Sequence, residues 1–273
     1  MRGFDLACSS ACFALEARER ELLAAREAGI ERLEFAVKPQ DLGDHGRWQR
    51  LLDRSGLACW SVHTPFGAEL DLSSLDEERR REALSTVLAS VDLAASLGAG
   101  MVIVHGGAEP ILADRPQRLS ASRESVQAVA ERCQALGLRL ALEYLPRTCP
   151  GNSVAELDYL LSGLDPDLAG VCLDLNHANL TQDLGTSILA LSGRIITVHA
   201  SDNDGVDERH WLPGQGVIAW GPALRALAQA RYQGPFLYES SRDREGGAVS
   251  AQVLRHNYDE QIRPLLEQGV TGA

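Results

Sequence analysis

One pattern narrows the possible folds more than any other: a short apolar run followed by a longer amphipathic stretch, repeated eight times along the chain. The apolar runs lie at 4–8, 31–37, 57–63, 100–105, 138–143, 168–174, 194–199 and 235–239. Their nearly continuous Val, Ile, Leu and Ala content suits parallel strands buried on both faces. The spacing between them predicts helices at about 15–28, 47–54, 76–97, 117–136, 153–162, 184–191, 220–231 and 249–266. Gly29, Gly56, Gly98 and Gly137 each follow such a helix, where a left-handed residue commonly ends it. Ser153 and Glu156 have capping-box spacing. Eight β-then-α units without a Pro- or Ser-rich linker predict a single (β/α)8 barrel, an α/β fold, as one domain over residues 1–273. A doubly wound sheet is the alternative, but Cys8-Ser9-Ser10-Ala11-Cys12 after the first run is not the glycine-rich turn such sheets use.

Charge limits the partners. With 26 basic and 38 acidic side chains the formal net charge is −12, which argues against nucleic acid as an obligatory partner. No apolar run reaches the roughly 18 residues of a membrane span. Leu6-Ala7-Cys8 has the look of a lipoprotein cleavage site, yet only five residues, one of them Asp5, precede it, too few for a signal peptide. The expected location is the cytoplasm. The six cysteines, at 8, 12, 59, 133, 149 and 172, are scattered without C-x-x-C spacing, so reduced thiols are expected. Lys38 is the sole lysine, and Schiff-base chemistry would have to rest on it.

In such barrels the active site lies at the C-terminal ends of the strands. His63, His105, Glu143, Asp174, His199 and Glu239 close strands three to eight in order, and all are metal-ligand types. One histidine or carboxylate in that position is ordinarily a solvated loop residue or a hydrogen-bonded core group; six in register point toward a shared site. Drawn into a mouth poor in water, the carboxylates would repel one another, and a divalent cation removes that conflict. The mixture of nitrogen and oxygen donors fits zinc or manganese first, with magnesium, cobalt or iron as further options. His177 lies three residues after Asp174 at a strand exit, and Glu208 and His210 share one side of an extended loop, so these three add ligand-type groups. His45 and His256 read as surface or packing residues.

The segments S-V-H-T-P-F, I-V-H-G-G, A-L-E-Y-L-P, V-C-L-D-L-N-H-A-N-L, V-H-A-S-D-N-D-G, H-W-L-P-G-Q-G and L-Y-E-S, in that order, resemble the xylose-isomerase-like TIM-barrel superfamily and, within it, the sugar phosphate isomerase/epimerase group. The resemblance covers about residues 4–265. It implies that Glu143, Asp174, His199 and Glu239 form a shared metal quartet and that His63, His105 and His177 line the site. Endonuclease IV belongs to the same superfamily, and its nine zinc ligands match His63, His105, Glu143, Asp174, His177, His199, Glu208, His210 and Glu239, with Glu208 standing where that enzyme has aspartate and Asp207 beside it competing for the role.

The function expected first is a divalent-metal-dependent sugar or sugar-phosphate isomerase or epimerase. Glu143 and Glu239, facing each other across the mouth, would remove and return the proton next to a carbonyl through an enediolate. Trp60, Phe66, Trp211 and Trp220 could wall the substrate. Three alternatives use the same residues: a zinc phosphodiesterase acting at abasic DNA sites, a dehydratase of a polyol ketone, and a non-catalytic metal or carbohydrate binder. The first needs a basic rim, and loops 38–47 and 202–209 are neutral or acidic. Arg147, Arg209 and Arg242 are the candidates for an anionic substrate group, and Gly106-Gly107 or Gly246-Gly247 could bring backbone amides to one. Partner classes left open are a small sugar and a second copy of the chain.

Overall fold

The computed structural model describes residues 4–109 and 114–270. Eight strands, β1 (Leu6–Ser9), β2 (Arg32–Ala36), β3 (Ala58–His63), β4 (Met101–Val104), β5 (Arg139–Glu143), β6 (Ala169–Asp174), β7 (Ile195–His199) and β8 (Phe236–Tyr238), pair in parallel in the order β7-β6-β5-β4-β3-β2-β1-β8. Just beyond β7, Ala200 donates its N–H to Leu237 O at 2.8 Å and accepts the N–H of Glu239 at 3.0 Å, so the sheet closes on itself. The molecule is a (β/α)8 barrel, and every strand falls within its expected run or ends within one residue of it.

The helices are α1 (Arg18–Ala25), α2 (His45–Ser55), α3 (Glu77–Ser96), α4 (Arg115–Ala135), α5 (Val154–Leu160), α6 (Leu175–Thr181), α7 (Leu184–Ala190), α8 (Trp220–Gln229), α9 (Ala251–Asn257) and α10 (Arg263–Val270). Their ends follow side-chain chemistry. Asp44 caps α2 by accepting from Arg47 N, and Gly56 ends that helix at φ 64°, a conformation costly for residues with a Cβ. The expected capping box of α5 forms only by half: Ser153 accepts from Glu156 N, whereas the Glu156 carboxylate turns to Arg115. The last predicted helix is broken by a π turn, Tyr258–Ile262, between α9 and α10, which brings Tyr258 and Ile262 both into the core.

Most apolar side chains pack between the strands and the helices. A smaller cluster, Met101, Ile103, Ala141 and Cys172 with Trp60 and Ile196 against it, fills the barrel interior. The interior is therefore packed beneath the mouth, and polar side chains gather above it. All six cysteines are free, and among the described residues no helix is long and apolar enough to cross a membrane.

β6 and β7 approach each other closely because Gly170 has no Cβ. A carbon there would lie 2.6 Å from both Arg194 O and the Ile196 side chain. We expect Gly170→Ala to lose about 1–3 kcal/mol of unfolding free energy, the usual cost of overpacking. Chemical denaturation measures it, and an unchanged midpoint would contradict the close packing of the two strands that carry Asp174 and His199.

Candidate active site

Strand geometry delivers the six predicted groups to one mouth. His63, Glu143, Asp174 and His199 are the last residues of β3, β5, β6 and β7, while His105 and Glu239 stand one residue beyond β4 and β8. A cavity of about 530 Å³ opens above them, and His63, His105, Glu143 and Glu239 line it. Asp174 and His199 lie deeper and are wholly buried.

Glu143 sits at the centre. His63 Nε2 and His105 Nε2 both approach its Oε2, at 3.0 and 2.9 Å, which leaves Oε1 turned toward His177 and His199. The Nδ1 of His63 meets Thr64 O at 2.8 Å, so both ring nitrogens face acceptors. Burial alone would depress this imidazole, but the hydrogen bond and charge of Glu143 raise it to about 9. Burial likewise works against ionisation of Glu143, and the surrounding His105 and His199 overcome it, holding the carboxyl well below the usual range.

His199 Nδ1 lies 3.2 Å from Glu239, 3.6 Å from Glu143 and 3.9 Å from Asp174. Ligand-type atoms of these four residues all fall within 4.8 Å of one another. Asp174 Oδ1 caps α6 by accepting from His177 N at 2.8 Å, which aims Oδ2 into the cluster. Two atoms of the cluster, Asp174 Oδ2 and His199 Nδ1, are buried without a hydrogen-bond partner, an arrangement that a cation shared by the four residues would satisfy. Burial raises the Asp174 carboxyl to about 6, with Glu239 and Glu143 adding to the effect against His177. Glu239 is desolvated too, but His199 draws it down to about 2.

A second group forms at the edge of the mouth. His177 Nε2 lies 2.8 Å from Glu208 Oε2, and His177, Glu208 and His210 also bring ligand-type atoms within 4.8 Å. The segment carrying His177 is not the simple turn expected: it is the helix α6, capped by Asp174. Nor is the strand-like loop geometry expected for 208–210 present, since His210 is left-handed at φ 50°, yet its ring still converges on His177 with centroids 5.9 Å apart. Buried Asp202 holds this loop by accepting from Gly214 N, Ile218 N and Trp220 Nε1 at 2.9–3.1 Å.

The candidate anion-binding arginines separate. Arg147 lines the cavity, but its guanidinium binds Glu109 at 2.6 Å and also pairs with Glu208, so its charge is already matched. Arg209 pairs with Asp204 at 2.7 Å, and both Arg209 and Arg242 are exposed outside the cavity lining. Gly106 and Gly107 are required by packing, since a Cβ on them would meet Pro150 O at 2.7 Å and Ser73 Oγ at 2.5 Å; the Gly246-Gly247 pair is a turn around Asp243. Of the aromatic candidates only Phe66 faces the mouth, 60% exposed and stacked on His105 at 4.3 Å; Trp60 fills the barrel, Trp211 lies under Arg244, and Trp220 is buried against Phe236. Lys38 is exposed and His256 is on the surface, away from the mouth lining, and His45 opens α2.

Sequence reading overlooked Glu34. It is wholly buried in β2, its Oε2 3.0 Å from His199 Nε2 and 2.9 Å from Ser61 Oγ. The available signal was a glutamate inside the apolar run ERLEFAV, which alternation alone assigns to a solvent face.

Comparison with known proteins agrees with this architecture. Residues 22–261 match the xylose isomerase-like TIM barrel family. An uncharacterised protein of Methanocaldococcus jannaschii is 27% identical over 208 residues, covering 74% of this chain and 70% of its own. L-ribulose 3-epimerase of Mesorhizobium japonicum is 28% identical over 239 residues, covering 85% and 78%. Among solved structures, a D-tagatose 3-epimerase-like protein superposes with a TM-score of 0.83 at 22% identity over 97% of this chain and 99% of that one, a likeness of fold. With most of its length matched and the barrel closed as that family requires, the chain belongs to the xylose isomerase-like TIM barrel family.

Proposed function

We propose that this protein is a divalent-metal-dependent sugar epimerase or isomerase that moves a proton at the carbon next to a carbonyl. The observation that carries the reading is the quartet Glu143, Asp174, His199 and Glu239, in which two buried donor atoms have no partner at the base of an open cavity. Three carboxylates and one imidazole offer the mixed oxygen and nitrogen set that suits zinc or manganese. A divalent ion there would supply the positive charge that stabilises an enediolate. The similarity to L-ribulose 3-epimerase supports a ketose as substrate.

Within that reading the protein's own groups divide the work. Glu143 and Glu239 are the two bases, and inversion at carbon needs two, because the proton leaves one face and returns to the other. His63 and His105 occupy Oε2 of Glu143 and hold the carboxylate in place while Oε1 stays turned to the centre. Phe66 offers an apolar face to the substrate's carbon chain, and the rim histidines His177 and His210 offer N–H groups to its hydroxyls.

The three groups His63/Glu143/His199, the quartet and His177/Glu208/His210 also favour a second reading, a multi-metal phosphodiesterase. The rim speaks against it. Glu109, Asp207 and Glu208 surround Arg147, the one arginine of the cavity lining among the described residues, and such a surface repels a phosphate backbone.

Metal binding should be coupled to protons. Asp174, raised to about 6, must be ionised to act as a ligand, and His199, held protonated by the acids around it against the effect of burial, must free Nδ1. Affinity for Zn²⁺ or Mn²⁺ should therefore climb as the pH rises through about 6 and go on climbing above it as His199 gives up its proton, with at least one proton released per ion. Titration calorimetry in buffers of different protonation enthalpy reads this. Absence of binding, or heats and affinities indifferent to buffer and pH, would contradict the site.

On a panel of free and phosphorylated ketoses, the metal-loaded enzyme should wash solvent deuterium into the carbon beside the carbonyl of its substrate. Glu143→Gln and Glu239→Gln should each lose about 10²-fold or more of that exchange, the scale of a general base. If both variants retain metal and exchange at the wild-type rate, the carboxylates are ligands only.

Abasic duplex DNA should remain uncut at about 0.15 M salt. Specific incision that disappears in Glu143→Gln would reverse the ranking of the two readings.

A further inference from the structure

Glu34 has no part in the proton transfer just described, yet its carboxylate is wholly removed from water. It lies in the middle of β2 with no solvent exposure, where an ionised group without partners would carry a heavy desolvation cost. Both of its contacts converge on one oxygen: Ser61 Oγ of β3 donates to Oε2 at 2.9 Å, and His199 Nε2 of β7 meets it at 3.0 Å. Oε1 has no hydrogen-bond partner. β2 and β7 are not neighbours in the sheet, so this contact crosses the barrel interior rather than running along its wall.

The two nitrogens of His199 consequently face different worlds. Nε2 points down to Glu34, and Nδ1 points up to Glu239, Glu143 and Asp174. A carboxylate oxygen accepts, so Nε2 is the nitrogen that carries hydrogen in the neutral ring, and Nδ1 then presents a lone pair. Ser61 holds the Glu34 rotamer that makes this possible.

We propose that Glu34 is a positioning residue for the metal centre. Through the Nε2–H of His199 it sets the tautomer and tilt of that ring, and its negative charge strengthens Nδ1 as a donor toward a cation shared with Glu143, Asp174 and Glu239. This rests on the metal-dependent reading above. A glutamate kept only for packing would influence fold stability and leave cation affinity and tautomer alone.

Zinc is the probe, because it is diamagnetic and permits both measurements. In zinc-loaded wild type labelled with ¹⁵N-histidine, long-range ¹H–¹⁵N correlation should show His199 protonated at Nε2 and not at Nδ1. Zinc affinity, read by competition with a chelator, should fall about 10- to 100-fold in Glu34→Leu, the usual effect of removing a ligand's hydrogen-bond partner. Glu34→Gln keeps an acceptor oxygen but not the charge, and about a tenfold loss is expected. Should Glu34→Leu fail to fold, Glu34→Gln and the wild-type tautomer decide the matter. Wild-type zinc affinity in Glu34→Gln overturns the role of Glu34 while leaving the metal site standing, whereas a ring protonated at Nδ1 overturns that role and Nδ1 as a ligand together. Wild type that binds no zinc or manganese overturns the metal reading itself.

Discussion

Two backbone hydrogen bonds at Ala200, to Leu237 O and from Glu239 N, join the last pair of strands and turn an eight-stranded sheet into a ring. Their consequence for chemistry is direct. They fix His199 and Glu239, adjacent in space though 40 residues apart in sequence, with Nδ1 3.2 Å from the carboxylate. Parallel pairing then places the ends of β3 to β6 on the same rim. An open doubly wound sheet would have left β7 and β8 on separate edges or in another order, and no single cluster would contain Glu143 from β5 and Glu239 from beyond β8.

Closure also creates an electrostatic problem. Glu143, Asp174 and Glu239 crowd around one imidazole where water is nearly excluded, and Glu34 adds a fourth carboxylate from below. Protons are one way to meet it: His63 is raised to about 9, and His177 and His199 are raised despite burial, because each is surrounded by acids. Asp174, buried away from water beside Glu239 and Glu143, retains its proton to about 6. A divalent ion would answer the same excess of negative charge with a directional partner, and the two unpaired donor atoms point where it would be needed. At the outer edge, Glu208 is met instead by His177 and Arg147. The mouth thus grades from a carboxylate-rich floor to a rim where charges are already paired.

The strand ends were legible because an apolar run followed by a single polar ligand type is an unambiguous pattern when it recurs in phase. Helix α6 was not, since DLNHANL has little apolar periodicity and its cap, Asp174, already carried a different reading as a ligand. Glu34 escaped for a related reason. Alternation in ERLEFAV assigns a charged residue to solvent in a half-exposed strand, but in a closed barrel the other face is the interior. The pairing of Arg147 with Glu109 and Glu208 joins three separate loops, and local sequence contains no trace of it. Aromatic placement was equally tertiary: Trp60 lies low in β3, inside the barrel, whereas Phe66, three residues past its end, reaches the mouth.

The central claim is that one divalent cation is held by Glu143, Asp174, His199 and Glu239. Anomalous diffraction at the metal edge, from crystals grown with Zn²⁺ or Mn²⁺, tests it most directly. The account predicts a peak about 2.0–2.2 Å from a carboxylate oxygen of each acid and from Nδ1 of His199. A peak only among His177, Glu208 and His210, or no peak at a site kept open by four ionisable groups, would contradict it.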